Sequence, residues 1–283
     1  MRTNVLAQHM FAHPSGHRSQ YNGFKVKIFD APYNYFSNVN QNQLINDHNL
    51  IFEKSFNFER DIHDVKVFDD CIDASGIKDD PSAWFTMNEV FISEVYKKMN
   101  VSKNDVVLDV GGHFGYFSLY ALDKGAKKVH VLEPSEENFK HLCRNTGKFD
   151  KIVPYNLALS DSVDQKQFII TGPSATNSFH RNYNHDSENP VSLGITKKES
   201  VNCIDFETFI RINNINRIDA LKMDCEGAEW DVLPTISDKF LKHKIRKMSI
   251  ELHQFNLEEH DSQSNRCDKL VERLRNLNFE VTT

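Results

Sequence analysis

The 283-residue chain has no apolar run approaching the roughly 20 residues that a membrane-spanning helix needs. Its opening, MRTNVLAQHMFAHPSGHRSQ, lacks the apolar core of a secretory signal, so the expected compartment is the cytoplasm. The five cysteines, Cys71, Cys143, Cys203, Cys225 and Cys267, are odd in number and contain no CxxC pair, which excludes a zinc ribbon or a redox dithiol and leaves reduced thiols. An excess of basic residues is missing too: the formal net charge of −6 argues against a dedicated nucleic-acid binder, because neutralising phosphates needs a basic surface. Internal repeats and low-complexity tracts are absent. What is present, 39% hydrophobic and 26% charged residues, describes a soluble chain long enough for a full α/β core with an appendage.

Residues 1–80, rich in Asn, Asp, Phe and His, show short apolar runs (FKVKIF, NLIF, VKVF) without helical period and form an N-terminal appendage of strands and loops. From Pro81 the spacing of Trp84, Val90, Phe91, Val95 and Met99 predicts an amphipathic helix leading into a domain over 81–283. Strand-like runs then alternate with helix-like segments, the pattern of a mainly parallel sheet covered by helices. Strands are expected at Val106–Val110, Lys128–Leu132, Lys151–Leu157, Ala220–Asp224, Met248–Leu252 and from Phe279. Helices are expected at Tyr116–Lys124, Glu136–Asn145, Ile204–Asn213, Trp230–Phe240 and Ser264–Leu277. Residues 160–200 fit neither pattern and are expected to form a polar binding loop or lid.

In DVGGHFG a strand ends at Asp109, and Gly111, Gly112 and Gly115 carry the chain into a helix. Such a loop admits a ligand close to the backbone but serves dinucleotides and nucleosides alike. The acid separates them. Asp109, two residues before the first glycine, would repel a pyrophosphate, whereas S-adenosylmethionine carries an ammonium and a sulfonium and no phosphate. Eighteen residues beyond Gly115 the next strand ends at Glu133, where a carboxylate can accept from both ribose hydroxyls. The cofactor is therefore expected to meet Asp109, Gly111, Gly112, His113, Phe114, Gly115, Tyr116, Glu133 and Pro134, with Asn156, Ala158 and Leu159 beside the adenine. The alternatives are a loop-stabilising acid at Asp109, a helix-capping or solvated acid at Glu133, and plain packing at Asn156–Leu159.

Farther on, SVNCIDFETFIRINNINRIDALKMDCEGAEWDVL resembles the signature of the FkbM family of methyltransferases, through Ile204–Asp205, Ile218–Asp219, Lys222, Asp224, Glu226, Gly227 and Glu229. The likeness runs from about residue 80 to residue 283 and is specific in DVGGHFG and MDCEGAE. It implies a class I methyltransferase fold, a Rossmann-like, mainly parallel sheet with helices on both faces. It further implies O-methylation of a hydroxyl, commonly on a sugar, a surface glycan or a natural product. Two departures stand out. Pro234–Thr235 replaces the glycine–small pair that often follows, and the chain reaches Thr283 in its sixth expected strand where that fold closes with an antiparallel seventh.

Moving an activated methyl group requires an aligned oxygen and removal of its proton. Ligands of open α/β sheets sit beyond the carboxyl ends of the strands, which points to Asp224, Glu226, Glu251 and His253. Strand alternation puts Glu251 and His253 on one face, and Asp224 joins them from the neighbouring strand. His253 is the first candidate for a metal-free general base, against a purely structural role; Asp224 is the second, or else it contacts the cofactor's ammonium group. Glu226 and Glu229 stand where a helix begins and serve either its N-terminus or the substrate. A divalent metal on Asp224, Glu251 and His253 is the alternative to a metal-free site. In the long loop Ser178, His180, Arg181 and Tyr183 offer donors for a polar, glycan-like acceptor. The rival readings are a nucleotide-sugar or dinucleotide-binding protein and an inactive scaffold on the same fold.

Overall fold

The computed structural model describes residues 5–9, 80–91, 93–179, 197–253 and 260–282. In chain order the elements are β1 (Val5–His9), α1 (Pro81–Phe91), β2 (Val106–Val110), α2 (Tyr116–Asp123), β3 (Lys128–Leu132), α3 (Glu136–Thr146), β4 (Ile152–Tyr155), β5 (Ala158–Ser160), β6 (Gln165–Ile170) and β7 (Lys197–Asp205). They continue with α4 (Phe206–Ile212), β8 (Ala220–Met223), α5 (Glu229–Val232), α6 (Asp238–Lys244), β9 (Met248–Leu252), α7 (His260–Asn276) and β10 (Val281–Thr282).

The main sheet has seven strands in the order β10-β1-β9-β8-β2-β3-β4, and every pairing is parallel. Parallel strands are covered on both faces, and β2, β3 and β8 read accordingly as near-continuous apolar runs. Alternation splits them between two cores. Leu108, Val110, Leu132 and Met223 pack with Phe206, Phe209 and Trp230 on one face. Val107, Val129, Val131 and Ala220 pack with Met87, Phe117 and Leu119 from α1 and α2 on the other. Each fully buried aliphatic side chain contributes about 1.5–3 kcal/mol, so these layers fix where the strand ends lie.

Several expectations are corrected. Residues 160–200 are not all loop: β6 pairs antiparallel with β7, and β5 pairs parallel with β7, as a second, three-stranded sheet. Phe168, Ile170, Val201 and Cys203 form its small core, a set of apolar positions too sparse in sequence to show a strand period. Strand β7 runs to Asp205, whose side chain caps α4 by accepting from Thr208 N at 2.9 Å, so the helix expected from Ile204 starts later. Pro234 breaks the helix expected over Trp230–Phe240 into α5, a 3-10 turn Leu233–Thr235 and α6, which Ser237 caps anew. The stretch Lys151–Leu157 is shortened to β4, and β5 departs to the second sheet. The seventh strand comes from the N-terminal segment: β1 lies between β9 and β10, parallel to both, whereas the fold implied by the resemblance normally closes with an antiparallel seventh. No helix among the described residues is long and apolar enough to cross a membrane.

Candidate functional site

The loops leaving β2, β3 and β8 surround a cleft of about 500 Å³ including its mouth. Gly111 shapes it, with φ of +76°: a Cβ there would stand 1.9 Å from the Asp224 backbone oxygen, so only glycine lets the β2 loop lie against the end of β8. Of the residues singled out by sequence, Gly111, His113, Glu133, Pro134, Ala158, Leu159, Asp224 and Glu226 line this cleft. Leu132, Leu157, Phe168 and Phe179 add an apolar wall.

Asp109, Gly112, Phe114, Gly115, Tyr116 and Asn156 are not among the lining residues. Strand alternation turns Asp109 toward α2, where it is fully buried and accepts from Ser118 Oγ at 2.8 Å, with Lys222 Nζ at 3.6 Å. Burial pushes its carboxyl above the ordinary range, against the pull of Lys222. Gly115 caps α2 in the left-handed conformation, and Tyr116 begins it. Phe114 stacks between His113 and His141, with ring centroids 4.3 Å from each. Asn156 donates to the carbonyls of Glu133 (2.9 Å) and Pro134 (3.0 Å), tying the end of β4 to the cleft loop.

Glu133 is almost fully buried, and its carboxylate accepts from His113 N at 2.8 Å and Ser135 N at 2.9 Å. Burial raises its pKa to about 7, although these backbone bonds pull the other way. His113 adopts φ of +48°, in the left-handed region that few non-glycine residues enter, and its Nε2 lies 2.7 Å from Ser174 Oγ. Its Nδ1 is buried with no hydrogen-bond partner among the described residues, and burial lowers the ring's pKa to about 4, so it is neutral. Ser174 was not singled out by sequence. It shows that the segment after β6 reaches back to the glycine loop, and Asn138 of α3 holds it there through the Ser174 carbonyl at 3.2 Å.

Beside the cleft, at the ends of β8 and β9, acids gather around one histidine. His253 is 1% exposed; its Nδ1 lies 3.3 Å from Glu229 Oε1, and its Nε2 faces Glu226 Oε2 at 3.5 Å, Glu251 Oε1 at 3.6 Å and Asp224 Oδ1 at 3.8 Å. The convergence expected from strand alternation is present, and Glu226 and Glu229 join it from the turn after β8. Burial opposes a charged imidazole, but Glu226 and Glu229 outweigh it and raise the His253 pKa well above its ordinary value. Burial, with Asp224 adding to it, raises Glu251 well above the carboxylate range. For Asp224 burial acts upward as well, yet Lys222 and then His253 hold it below its usual value. Lys222 stays firmly charged despite burial because Asp224 and Asp109 face it.

Two features here escaped sequence reasoning. Tyr96, just beyond α1, donates its hydroxyl to Asp224 Oδ2 at 3.1 Å. Glu229 Oε1 accepts from Cys225 N at 2.7 Å, closing the turn on itself. Ser178, expected in the acceptor loop, donates to the Glu226 carbonyl at 2.6 Å. His180, Arg181 and Tyr183 lie outside the described residues.

Comparison with known proteins bears on this site. A family model described as "Methyltransferase FkbM domain" matches residues 109–281. Among curated relatives, the AMB antimetabolite synthetase AmbE of Pseudomonas aeruginosa is 26% identical over 229 residues, 70% of this chain but only 11% of that much longer protein. Methyltransferase 1 of Beauveria bassiana is 24% identical over 168 residues, covering 55% of this chain and 68% of its own length. Among solved structures, a SAM-dependent methyltransferase from Aquifex aeolicus is 27% identical, covering 29% of this chain and 45% of that one, with a TM-score of 0.22.

Proposed function

Because the chain belongs to the FkbM methyltransferase family, we propose that it is an S-adenosylmethionine-dependent O-methyltransferase acting on a hydroxyl of a sugar, a surface glycan or a natural product. The observation that carries this reading is the charge of the cleft. Among the described residues its lining includes Glu133, Asp224 and Glu226 but no lysine or arginine, which suits a cationic cofactor and disfavours the pyrophosphate of a dinucleotide. The residues fit that cofactor in other respects. Glu133 keeps lone pairs for ribose hydroxyls, the apolar wall of Leu157, Leu159, Phe168 and Phe179 suits a flat purine, and the buried Nδ1 of His113 awaits a polar partner.

The cofactor supplies a methyl group already activated on sulfur. The chain's task is then to hold an acceptor oxygen in line and take its proton. Asp224, Glu251 and His253 do this at the cleft edge. The O–H bond would break with its electron pair left on oxygen and the proton passing to this cluster, while the oxygen would form the new bond to carbon as the carbon–sulfur bond breaks with its pair left on sulfur, the neutral leaving group. Glu226, whose carbonyl accepts from Ser178, orients the acceptor. Cys143, Cys203, Cys225 and Cys267 form no disulfide among the described residues, which suits a reducing compartment such as the cytoplasm.

Calorimetry tests the reading. Binding of S-adenosylhomocysteine with no binding of NAD supports it, and the reverse overturns it. Release of S-adenosylhomocysteine in the presence of a hydroxylated acceptor excludes an inactive scaffold.

A further inference from the structure

The surroundings of His253 differ on the two sides of its ring. Glu229 meets Nδ1, while Nε2 points into a space bounded by Asp224 Oδ1, Glu226 Oε2 and Glu251 Oε1. We propose that Asp224, Glu226 and His253 form a binding site for one divalent cation of the Mg²⁺/Mn²⁺ class, with Glu251 at its margin. One ligand atom from each of the three lies within 4.8 Å of the others. Octahedral bonds of about 2.1 Å place ligand atoms about 3.0 Å apart when adjacent and about 4.2 Å apart when opposite. The 3.5 and 3.8 Å separations from Nε2 fall between these values, so small side-chain rotations complete the geometry.

Each ligand is aimed by a second group, as metal sites require. Tyr96 and Lys222 hold Asp224 by Oδ2, at 3.1 and 3.5 Å, leaving Oδ1 turned toward His253. Glu229, itself fixed by Cys225 N, faces Nδ1 and so presents Nε2 inward. Ser178 fixes the backbone of Glu226, which sits in the left-handed region at φ of +52°.

Charge is the second reason. Four carboxylates face one imidazole, and Lys222, the cation beside Asp224, is shared with Asp109 and bonded to the Gly111 carbonyl at 2.7 Å. Glu229 is completely buried, yet its Oε2 has no hydrogen-bond partner among the described residues; Glu251 Oε1, a buried atom 3.6 Å from Nε2, likewise has none among them. Buried carboxyl oxygens that lack hydrogen bonds call for a cation. The mixed imidazole and carboxylate set suits Mn²⁺, with water filling the side open to the cleft. The site does not depend on the methyltransferase reading, but its role does: a cation here lowers the pKa of an acceptor hydroxyl and favours the ionised form of Glu251, which then receives the proton.

The test titrates the full chain with Mn²⁺ and follows the electron paramagnetic resonance signal of the free ion. One Mn²⁺ should bind per chain, with or without S-adenosylhomocysteine. Glu226→Gln should weaken binding by about 100-fold or more, and Glu229→Gln, which only mis-aims His253, by about 10- to 100-fold, with circular dichroism confirming that both fold. Folded wild-type chain that leaves all the Mn²⁺ free at about 1 mM overturns the proposal, as does unchanged affinity in folded Glu226→Gln. No acceptor or turnover enters this measurement. S-adenosylhomocysteine binding without Mn²⁺ binding overturns the metal site alone, and Mn²⁺ binding without S-adenosylhomocysteine supports the site while overturning the methyltransferase reading.

Discussion

Glu133 should make cofactor affinity depend on pH, with a sign opposite to its effect on the cofactor-free fold. In the unligated chain burial raises its pKa from 4.5 to about 7. A carboxyl raised on folding contributes stability that is complete below the unfolded pKa and lost as pH rises through the folded one. Across a shift of this size the loss is about 3 kcal/mol between roughly pH 4.5 and 7. Ribose hydroxyls that donate to Glu133 favour the ionised form, so affinity for S-adenosylhomocysteine should climb as pH rises and level off above about 7. If binding carries the pKa below about 5, the gain between pH 5 and 8 is about 100-fold. Calorimetry across that range reads it, and the thermal shift produced by ligand should be larger at pH 8 than at pH 5. Glu133→Gln should remove the limb. It also sets an amide NH₂ against one of the N–H groups of His113 or Ser135, costing about 1–3 kcal/mol, so the variant must be shown folded. Constant wild-type affinity from pH 5 to 8, or a limb retained in Glu133→Gln, refutes the ribose assignment.

Three further outcomes follow from the same geometry. His253→Ala should lower kcat by about 10²- to 10⁴-fold with little change in S-adenosylhomocysteine affinity; equal loss of both in steady-state and calorimetric assays would place His253 in cofactor binding instead. Gly111→Ala forces a Cβ to within 1.9 Å of the Asp224 carbonyl at a positive φ, so the melting temperature should fall sharply or soluble chain disappear, and a normal melt contradicts the packing described. Deleting Ser174–His180 should abolish turnover and weaken cofactor binding, since Ser174 contacts His113 and Asn138; calorimetric affinity matching wild type rules out that link.

Legibility from sequence followed the range of the interactions. β2, β3 and β9 were read with their observed limits because VVLDV, KVHVL and MSIEL keep an apolar or alternating strand pattern that needs no partner to be recognised. Glu133 at the end of β3 and the trio Asp224, Glu251 and His253 followed from spacing and alternation alone. β6 and β7 were missed because QKQFII and KKESVNCID are polar over half their length and become strands only by pairing with each other. Asp109 was expected at the cofactor, and the structure turns it to Ser118 and Lys222; its face is settled by which residue of α2 lies opposite, information that local sequence does not hold. Tyr96 is 128 positions from Asp224, and no spacing rule links them.

The place of β1 ties the two ends of the chain into one cooperative unit. Val5–His9 pairs with Met248–Leu252 on one side, and Val5 and Leu6 pair with Val281 and Thr282 on the other. A nascent chain emerging from the ribosome therefore carries Val5–His9 through synthesis of the other strands of this sheet before Met248–Leu252 or Val281–Thr282 exists. Contacts of such separation slow the last step of folding and leave an unpaired edge exposed in the meantime. Trimming the first ten residues would leave β10 without its neighbour in the sheet and uncover the flank of β9, the strand that carries Glu251 and leads into His253. A tag placed directly before Val5 is thus a perturbation of the acid cluster at one remove, and a C-terminal tag is the gentler handle only if it leaves Val281–Thr282 free to pair.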